Sequence, residues 1–181
     1  ELACMVSTAS KIDHRPVAIR YPRGEGTGVE LPPEGHTIPI GKGVIIREGS
    51  HIAILSFGAR LNECLTAADD LATHGWNTTV ANARFAKPLD EKLITNLASR
   101  HEVLITVEEG AIGGFASHVS HFLTMRGMLE GGLKLRPMVL PDRFISHGNP
   151  KDMYDDAGLS AADIVKTALL ALNRTSKNTF R

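Results

Sequence analysis

Two arginines, a tyrosine and a rigid turn share one short stretch, "PVAIRYPRGEG" at residues 16–26. Val17, Ala18, Ile19 and Tyr21 read as a short buried strand, yet that strand carries Arg20 and runs into Arg23. Groups of this kind at a strand end either hold the chain together or hold an anion. A second dense stretch is "VEEGAIGGFASHV" at residues 107–119. Its paired carboxylates, Glu108 and Glu109, are of a type that does acid–base work or binds a metal. Adjacent residues on a strand point to opposite faces, however, so a structural or subunit-contact role is favoured over a dyad. His118 and His121 lie three apart on one helical face, but no third ligand stands nearby, and no metal site is expected. Asp142 and His147 in "LPDRFISHG" form an ion pair, a turn brace or a site element, and their spacing does not decide between these. "SFGAR" at residues 56–60 follows a strand and opens a helix, a turn that can cradle phosphate with backbone N–H groups. It lacks Gly-x-Gly-x-x-Gly and Gly-Lys-Ser/Thr, so a tight strand-to-helix connection is the favoured reading. No Ser/His/Asp or Cys/His constellation is recognisable, and no Gly-Asp-Gly stretch is followed by Asn-Asn. No catalytic residue is assigned, and the main chemistry of an enzyme containing this chain is expected outside this sequence.

The elements that must position these residues follow from patterning. The chain has 181 residues and an apolar share of 43%, which fits one solid core. Its 20 basic and 20 acidic residues cancel, so there is no basic footprint for nucleic acid or for an electrostatic membrane contact. No apolar run reaches the roughly 18 residues that span a bilayer, and no signal peptide is seen. Cys4 and Cys64 sit in no metal or redox motif, and two reduced cysteines in a cytoplasmic protein are expected. The chain opens on "ELACMVSTASKID", where Leu2, Met5, Val6, Ala9 and Ile12 fall at helical spacing. That opening is read as a cut within an earlier domain of a longer protein.

Residues 24–39 have the Gly/Pro composition of a linker. Two strands around Glu48, Gly49 and Ser50 read as a hairpin. Strands at 52–57, 78–83, 103–107 and 135–140 then alternate with helices at 61–74, from Asp90 onward, at 114–125 and at 160–172. The run at 103–107 is continuously apolar, as in a parallel sheet covered on both faces. The fold class is therefore α/β, three layers deep (α/β/α), with a mostly parallel, mixed sheet of about five strands. Its expected span is 40–174, with a remnant at 1–24, a linker at 25–39 and a frayed tail at 175–181.

"AIRYPRG", the Gly/Pro linker, "PIGKG", "ILSFGA", "RFAKPLD", "VEEGAIGGFAS" and "LPDRFISHG" occur in this order. Together they resemble the C-terminal part of the 1-deoxy-D-xylulose-5-phosphate synthases, thiamine-diphosphate enzymes of the transketolase superfamily. The resemblance covers residues 1 to about 173. "RYPRG" and "LPDRFISHG" are particular to that family, whereas "KPLD" and "VEEG" followed by a Gly-Gly pair are shared with β subunits such as that of pyruvate dehydrogenase.

The resemblance implies a transketolase C-terminal domain at 40–174, preceded by the last helix and strand of a pyrimidine-binding domain. It implies a transferase that condenses pyruvate, with decarboxylation, and D-glyceraldehyde 3-phosphate to 1-deoxy-D-xylulose 5-phosphate. That reaction opens the non-mevalonate isoprenoid route and feeds thiamine and pyridoxal biosynthesis. The full-length enzyme would be a homodimer using thiamine diphosphate and Mg²⁺, whose ligands and catalytic groups lie upstream of Glu1. This chain alone is expected to bind neither cofactor and to be inactive. Arg23 is the residue that carries over, as a contact to the substrate phosphate. Its guanidinium offers a planar fork to phosphate oxygens, Pro22 fixes φ before it, and Gly24 permits close approach after it. Tyr21, Arg20, Asp142 and His147 rank behind it. Strand alternation puts Arg20 opposite Tyr21, and a structural role for Arg20 is favoured. The rival expectations are a 2-oxoacid dehydrogenase β subunit and a free-standing dimerisation or regulatory module.

Overall fold

A computed structural model describes residues 1–22, 24, 28, 30 and 35–172. Arg23 and the expected frayed tail at 175–181 lie outside the described residues. Five strands form one sheet: β1 (Val44–Arg47), β2 (Ile52–Phe57), β3 (Thr78–Asn82), β4 (Val103–Glu108) and β5 (Lys134–Met138). Their order is β1-β3-β2-β4-β5, with β1 antiparallel to β3 and all other neighbours parallel. The mixed, mostly parallel sheet is thus as the alternating pattern predicts.

The hairpin expected around Gly49 does not form. β1 leaves the place beside β2 free for β3 and pairs with the outer edge of β3 instead. The 48–50 turn crosses the start of β3, where Gly49 N–H donates to Thr79 Oγ1 at 2.9 Å and Ser50 N–H to the Asn77 carbonyl at 3.1 Å. A side chain at Gly49 would collide with the backbone of Thr78 and Thr79, so the crossing needs glycine. β2, apolar at almost every position, belongs in the sheet centre, where both faces are covered.

Helices cover both faces. On one, α2 (Leu61–Thr73) and α6 (Ala161–Ala171) pack Cys64, Leu71, Ile164 and Ala168 against Ile54, Ile105 and Val107. On the other, α3 (Glu91–Arg100) and α4 (Phe115–Met125) pack Ile94, Leu97, Phe115 and Val119 against Leu55 and Leu104. Alternate residues of β2 and β4 therefore feed two separate cores. Local signals set the helix starts. The Asp90 carboxylate accepts from Leu93 N–H at 3.1 Å, and Ser160 with Asp163 forms a reciprocal capping box. A short helix, α5 (Pro150–Asp156), lies between β5 and α6, capped by Asn149 with Pro150 at its first position. The sequence reading did not include it.

The N-terminal helix, α1, spans Leu2–Ala9. It buries Cys4 and Thr8, whereas Leu2 and Val6 are exposed, which corrects the apolar face read from spacing. Thr8 explains the difference: its hydroxyl accepts from Ile38 N–H at 2.9 Å, so this face meets the linker. Cys4 Sγ lies 3.5 Å from His36 Nδ1 on the same face, and both cysteines are free. The buried strand expected at 17–21 is also corrected. Those residues pair with no strand, and Val17 and Tyr21 are exposed. An apolar run becomes a strand only beside a partner ladder, and no strand of the sheet pairs with this one. No helix among the described residues is long and apolar enough to cross a membrane.

Candidate functional site at the strand ends

Sheet topology locates the crevice. From β2 the chain passes through α2 to β3 on one side, and from β4 through α4 to β5 on the other. The carboxyl ends of β2 and β4 therefore form the topological switch point, the place where open α/β sheets bind ligands. Arg60, two residues beyond Gly58 in the turn after β2, stands at this point. Gly58 takes φ 91°, which lets the chain turn sharply from strand to helix. The turn is the tight connection the sequence suggests, and Arg60 is the N-cap of α2.

Glu108 ends β4 and Glu109 follows it at the same crevice, their side chains pointing apart as along a strand. Glu108 is 1% exposed, and its carboxylate accepts from Phe115 N–H at 3.1 Å and Ala116 N–H at 2.8 Å. It thus caps the positive N-terminus of α4, which has no cap from its own Gly114. A Cβ at Gly114 would lie 2.7 Å from a Glu108 oxygen, which explains the second glycine of the Gly-Gly pair. Glu109 turns the other way and accepts from Arg60 Nε at 3.0 Å, with both side chains largely buried. The Arg60 guanidinium lies 3.7 Å from the centre of the Tyr154 ring. Burial, reinforced by a hydrogen bond to Glu109, holds the Tyr154 phenol above its ordinary pKa. Behind this cluster, burial pushes the Cys64 thiol up to about 12, outweighing the Ser56 hydroxyl and the Arg60 charge, which pull it down.

Arg20 reaches this crevice from the N-terminal segment. Its Nη2 donates to the Glu109 carbonyl oxygen at 2.6 Å. Tyr21, the next residue, points to solvent with 69% exposure, so the two do not share a pocket. Asp142 and His147 are both exposed in the 139–149 loop, and no ion pair joins them among the described residues. Arg143 anchors that loop instead, donating to both Asp156 carboxylate oxygens at 2.9 and 2.8 Å. Those bonds hold the Asp156 carboxyl below its usual value. His118 and His121 are exposed on α4, and no group of three or more metal-ligating side chains occurs among the described residues.

Sequence reasoning missed Arg60, Tyr154 and Arg84. Arg60 and Tyr154 are brought together by tertiary structure across just over half the chain, which no local spacing reports. Arg84 follows β3 in the "RFAKPLD" stretch with φ 59°, unusual for a non-glycine residue and costly enough to mark a special position. Its Nε pairs with Glu1 Oε1 at 2.6 Å, and Asn82 Nδ2 donates to the other Glu1 oxygen at 2.7 Å. Together these contacts fasten α1 to the end of β3.

A three-layer sheet domain with a basic and acidic cluster at its switch point defines an α/β domain of the doubly wound kind. Residues 41–164 match the family described as "Transketolase, C-terminal domain", and the chain belongs to that family. Among solved structures it is similar to a chain described as "Split gene transketolase, inactive beta4 tetramer". The match has 27% identity and a TM-score of 0.68 over 76% of this chain and 44% of that one. It thus spans less than half the length of that relative. The transketolase from Campylobacter jejuni shares the fold, at 19% identity and a TM-score of 0.52 over 72% of this chain and 18% of the other.

Proposed function

We propose that this chain is the C-terminal part of a 1-deoxy-D-xylulose-5-phosphate synthase, contributing a substrate-phosphate arginine, Arg23, to an active site completed by other domains. The observation that carries this reading is the sequence pair "RYPRG" and "LPDRFISHG", set on a transketolase C-terminal domain. The parent would condense pyruvate, with loss of carbon dioxide, and D-glyceraldehyde 3-phosphate, as a homodimer using thiamine diphosphate and Mg²⁺. The two crevice carboxylates do not suit that cofactor's metal. Magnesium takes carboxylate oxygens in octahedral geometry. Of the two crevice carboxylates, Glu108 is committed to the α4 amides and Glu109 to Arg60. The diphosphate and its metal are therefore assigned to the parent's other domains. The role proposed for this chain is to wall the crevice and present Arg23.

In the intact enzyme, Arg23→Ala should lower kcat/KM for glyceraldehyde 3-phosphate by roughly 10- to 150-fold, the loss of one charge-assisted contact. The effect should shrink for unphosphorylated glyceraldehyde. Equal losses on both aldehydes would make Arg23 structural. A second reading, a separate β component of a two-chain enzyme, is favoured by the 27% identity to a chain described as a split-gene transketolase. Mass spectrometry of the endogenous protein separates the two: one long chain carrying the cofactor domains supports the first, a short chain with a partner the second.

A further inference from the structure

We propose that Arg60 and Arg20, both fastened to Glu109 at the ends of β2 and β4, form a binding site for a small monoanion, a carboxylate group. The inference goes beyond the synthase reading, because the site belongs to this chain whatever reaction it serves. Its ground is a charge imbalance in a fixed geometry. Arg60 Nε donates to Glu109 Oε1 at 3.0 Å, and Arg20 Nη2 donates to the Glu109 carbonyl oxygen at 2.6 Å. Two guanidinium groups thus meet one residue that carries one carboxylate. Glu109 neutralises Arg60, but the acceptor of Arg20 is a neutral carbonyl, so one positive charge is left over. The nearby acids are engaged elsewhere. Glu108 is bonded to Phe115 and Ala116 N–H, Glu63 accepts from Ala161 N–H, and Asp156 is held by Arg143. Burial and Glu109 raise the Tyr154 pKa, whereas the charges of Arg60 and Arg20 lower it, so both guanidinium groups act on one phenol.

The uncommitted donors define the ligand's shape. One face of the Arg60 guanidinium lies on the Tyr154 ring, 3.7 Å from its centre, and the Nε edge is taken by Glu109. The two Nη groups remain, and no hydrogen bond from them occurs among the described residues. The Arg60 side chain is 14% exposed, yet the wholly buried side-chain polar atoms without a partner among the described residues are the Ser56 and Thr106 hydroxyls. The Nη edge is therefore open to solvent while the rest of the side chain is enclosed. A guanidinium stacked on a ring and tied to a carboxylate keeps its fork ordered before anything binds. Two coplanar carboxylate oxygens match that fork in a bidentate pair. Arg20, exposed and with one donor committed, supplies the second charge from the crevice mouth. A monoanion cancels the excess charge, whereas a dianion overshoots it beside the Glu109 carboxylate.

The probe is sodium acetate, titrated into the isotope-labelled 181-residue chain at constant ionic strength with chloride as the balancing anion. The Arg60 Nε–H resonance should shift saturably, with a dissociation constant on the order of 1–10 mM, the weight of about two charge-assisted bonds. Arg60→Lys keeps the charge and loses the fork, and should weaken binding about 10-fold. Arg20→Met keeps the side-chain stem and removes the donors, and should weaken it about 3- to 10-fold. Inorganic phosphate forms the second arm and should bind no tighter than acetate. Tighter phosphate binding would overturn the carboxylate assignment. A wild-type response no greater than that to chloride, or an unchanged dissociation constant in either folded variant, would overturn the site itself. If Arg60→Lys fails to fold, Arg20→Met, which alters an exposed side chain, decides alone.

Discussion

Replacing Glu108 by glutamine probes the most heavily committed side chain of the fold. The change is nearly isosteric, so it creates no cavity. The carboxylate accepts two backbone N–H groups, at 3.1 and 2.8 Å, in a site 1% exposed. A glutamine amide keeps one carbonyl oxygen, and its NH₂ must face the other backbone donor. One charge-assisted bond worth about 1.5–3 kcal/mol is lost, and the other falls to a neutral bond of about 1 kcal/mol. The attraction between the negative charge and the α4 N-terminus, worth about 0.3–1 kcal/mol or more in a buried setting, disappears too. The expected destabilisation is about 2–6 kcal/mol, a large part of the stability a domain of this size has. In urea, with a slope near 2 kcal/mol per molar, the midpoint should fall by about 1–3 M with an unchanged slope. The Phe115 and Ala116 amides should lose their exchange protection first. A midpoint within about 0.3 M of wild type would refute the reasoning, because it would mean that the two N–H groups need no anion.

Other outcomes follow from the same interior. The Thr106 hydroxyl is buried on β4 without a hydrogen-bond partner, so Thr106→Val should leave stability unchanged or raise it by up to about 1 kcal/mol in the same urea assay. The Cys64 thiol ordinarily titrates at 9.0 and is raised to about 12 by burial. An unfolded chain therefore loses this proton first, and the contribution of Cys64 is full below pH 9.0 and declines as pH rises towards about 12. Stability measured from pH 8 to 11 should fall less steeply in Cys64→Ala than in wild type, and an identical slope would exclude Cys64 as a source of alkaline loss.

Patterning made the sheet domain readable because burial on both faces writes itself into the strands. β2 and β4 are buried almost throughout and mostly apolar, and the caps at Asp90 and Ser160 mark where helices begin. Strand pairing is a different matter. Nothing local distinguishes a hairpin at Gly49 from a crossing of β3, since both ask for glycine and polar neighbours. The strand read at 17–21 failed for want of a partner, and the Leu2/Val6 face of α1 lost to Thr8 because one hydrogen bond to Ile38 sets the docking. α5 was missed although Asn149 and Pro150 carry a helix-start signal, because the helix is too short to show a period. At the crevice, Glu108 and Glu109 were read correctly as facing apart. Their partners come from α4 and from Arg60, 49 positions away in the case of Arg60, and sequence spacing holds no record of that.

Both borders of the sheet are blunted. At one, the pairing of β1 with β3 slips between Ile45 and Arg47, an irregularity that breaks the regular ladder. At the other, β5 carries Pro137, which has no N–H to offer, preceded by the charged residues Lys134 and Arg136. Neither margin is a template for another strand, so the domain is protected against polymerising by edge-to-edge addition. With strand addition disfavoured at both borders, the helices and loops are left as the surfaces open to a partner.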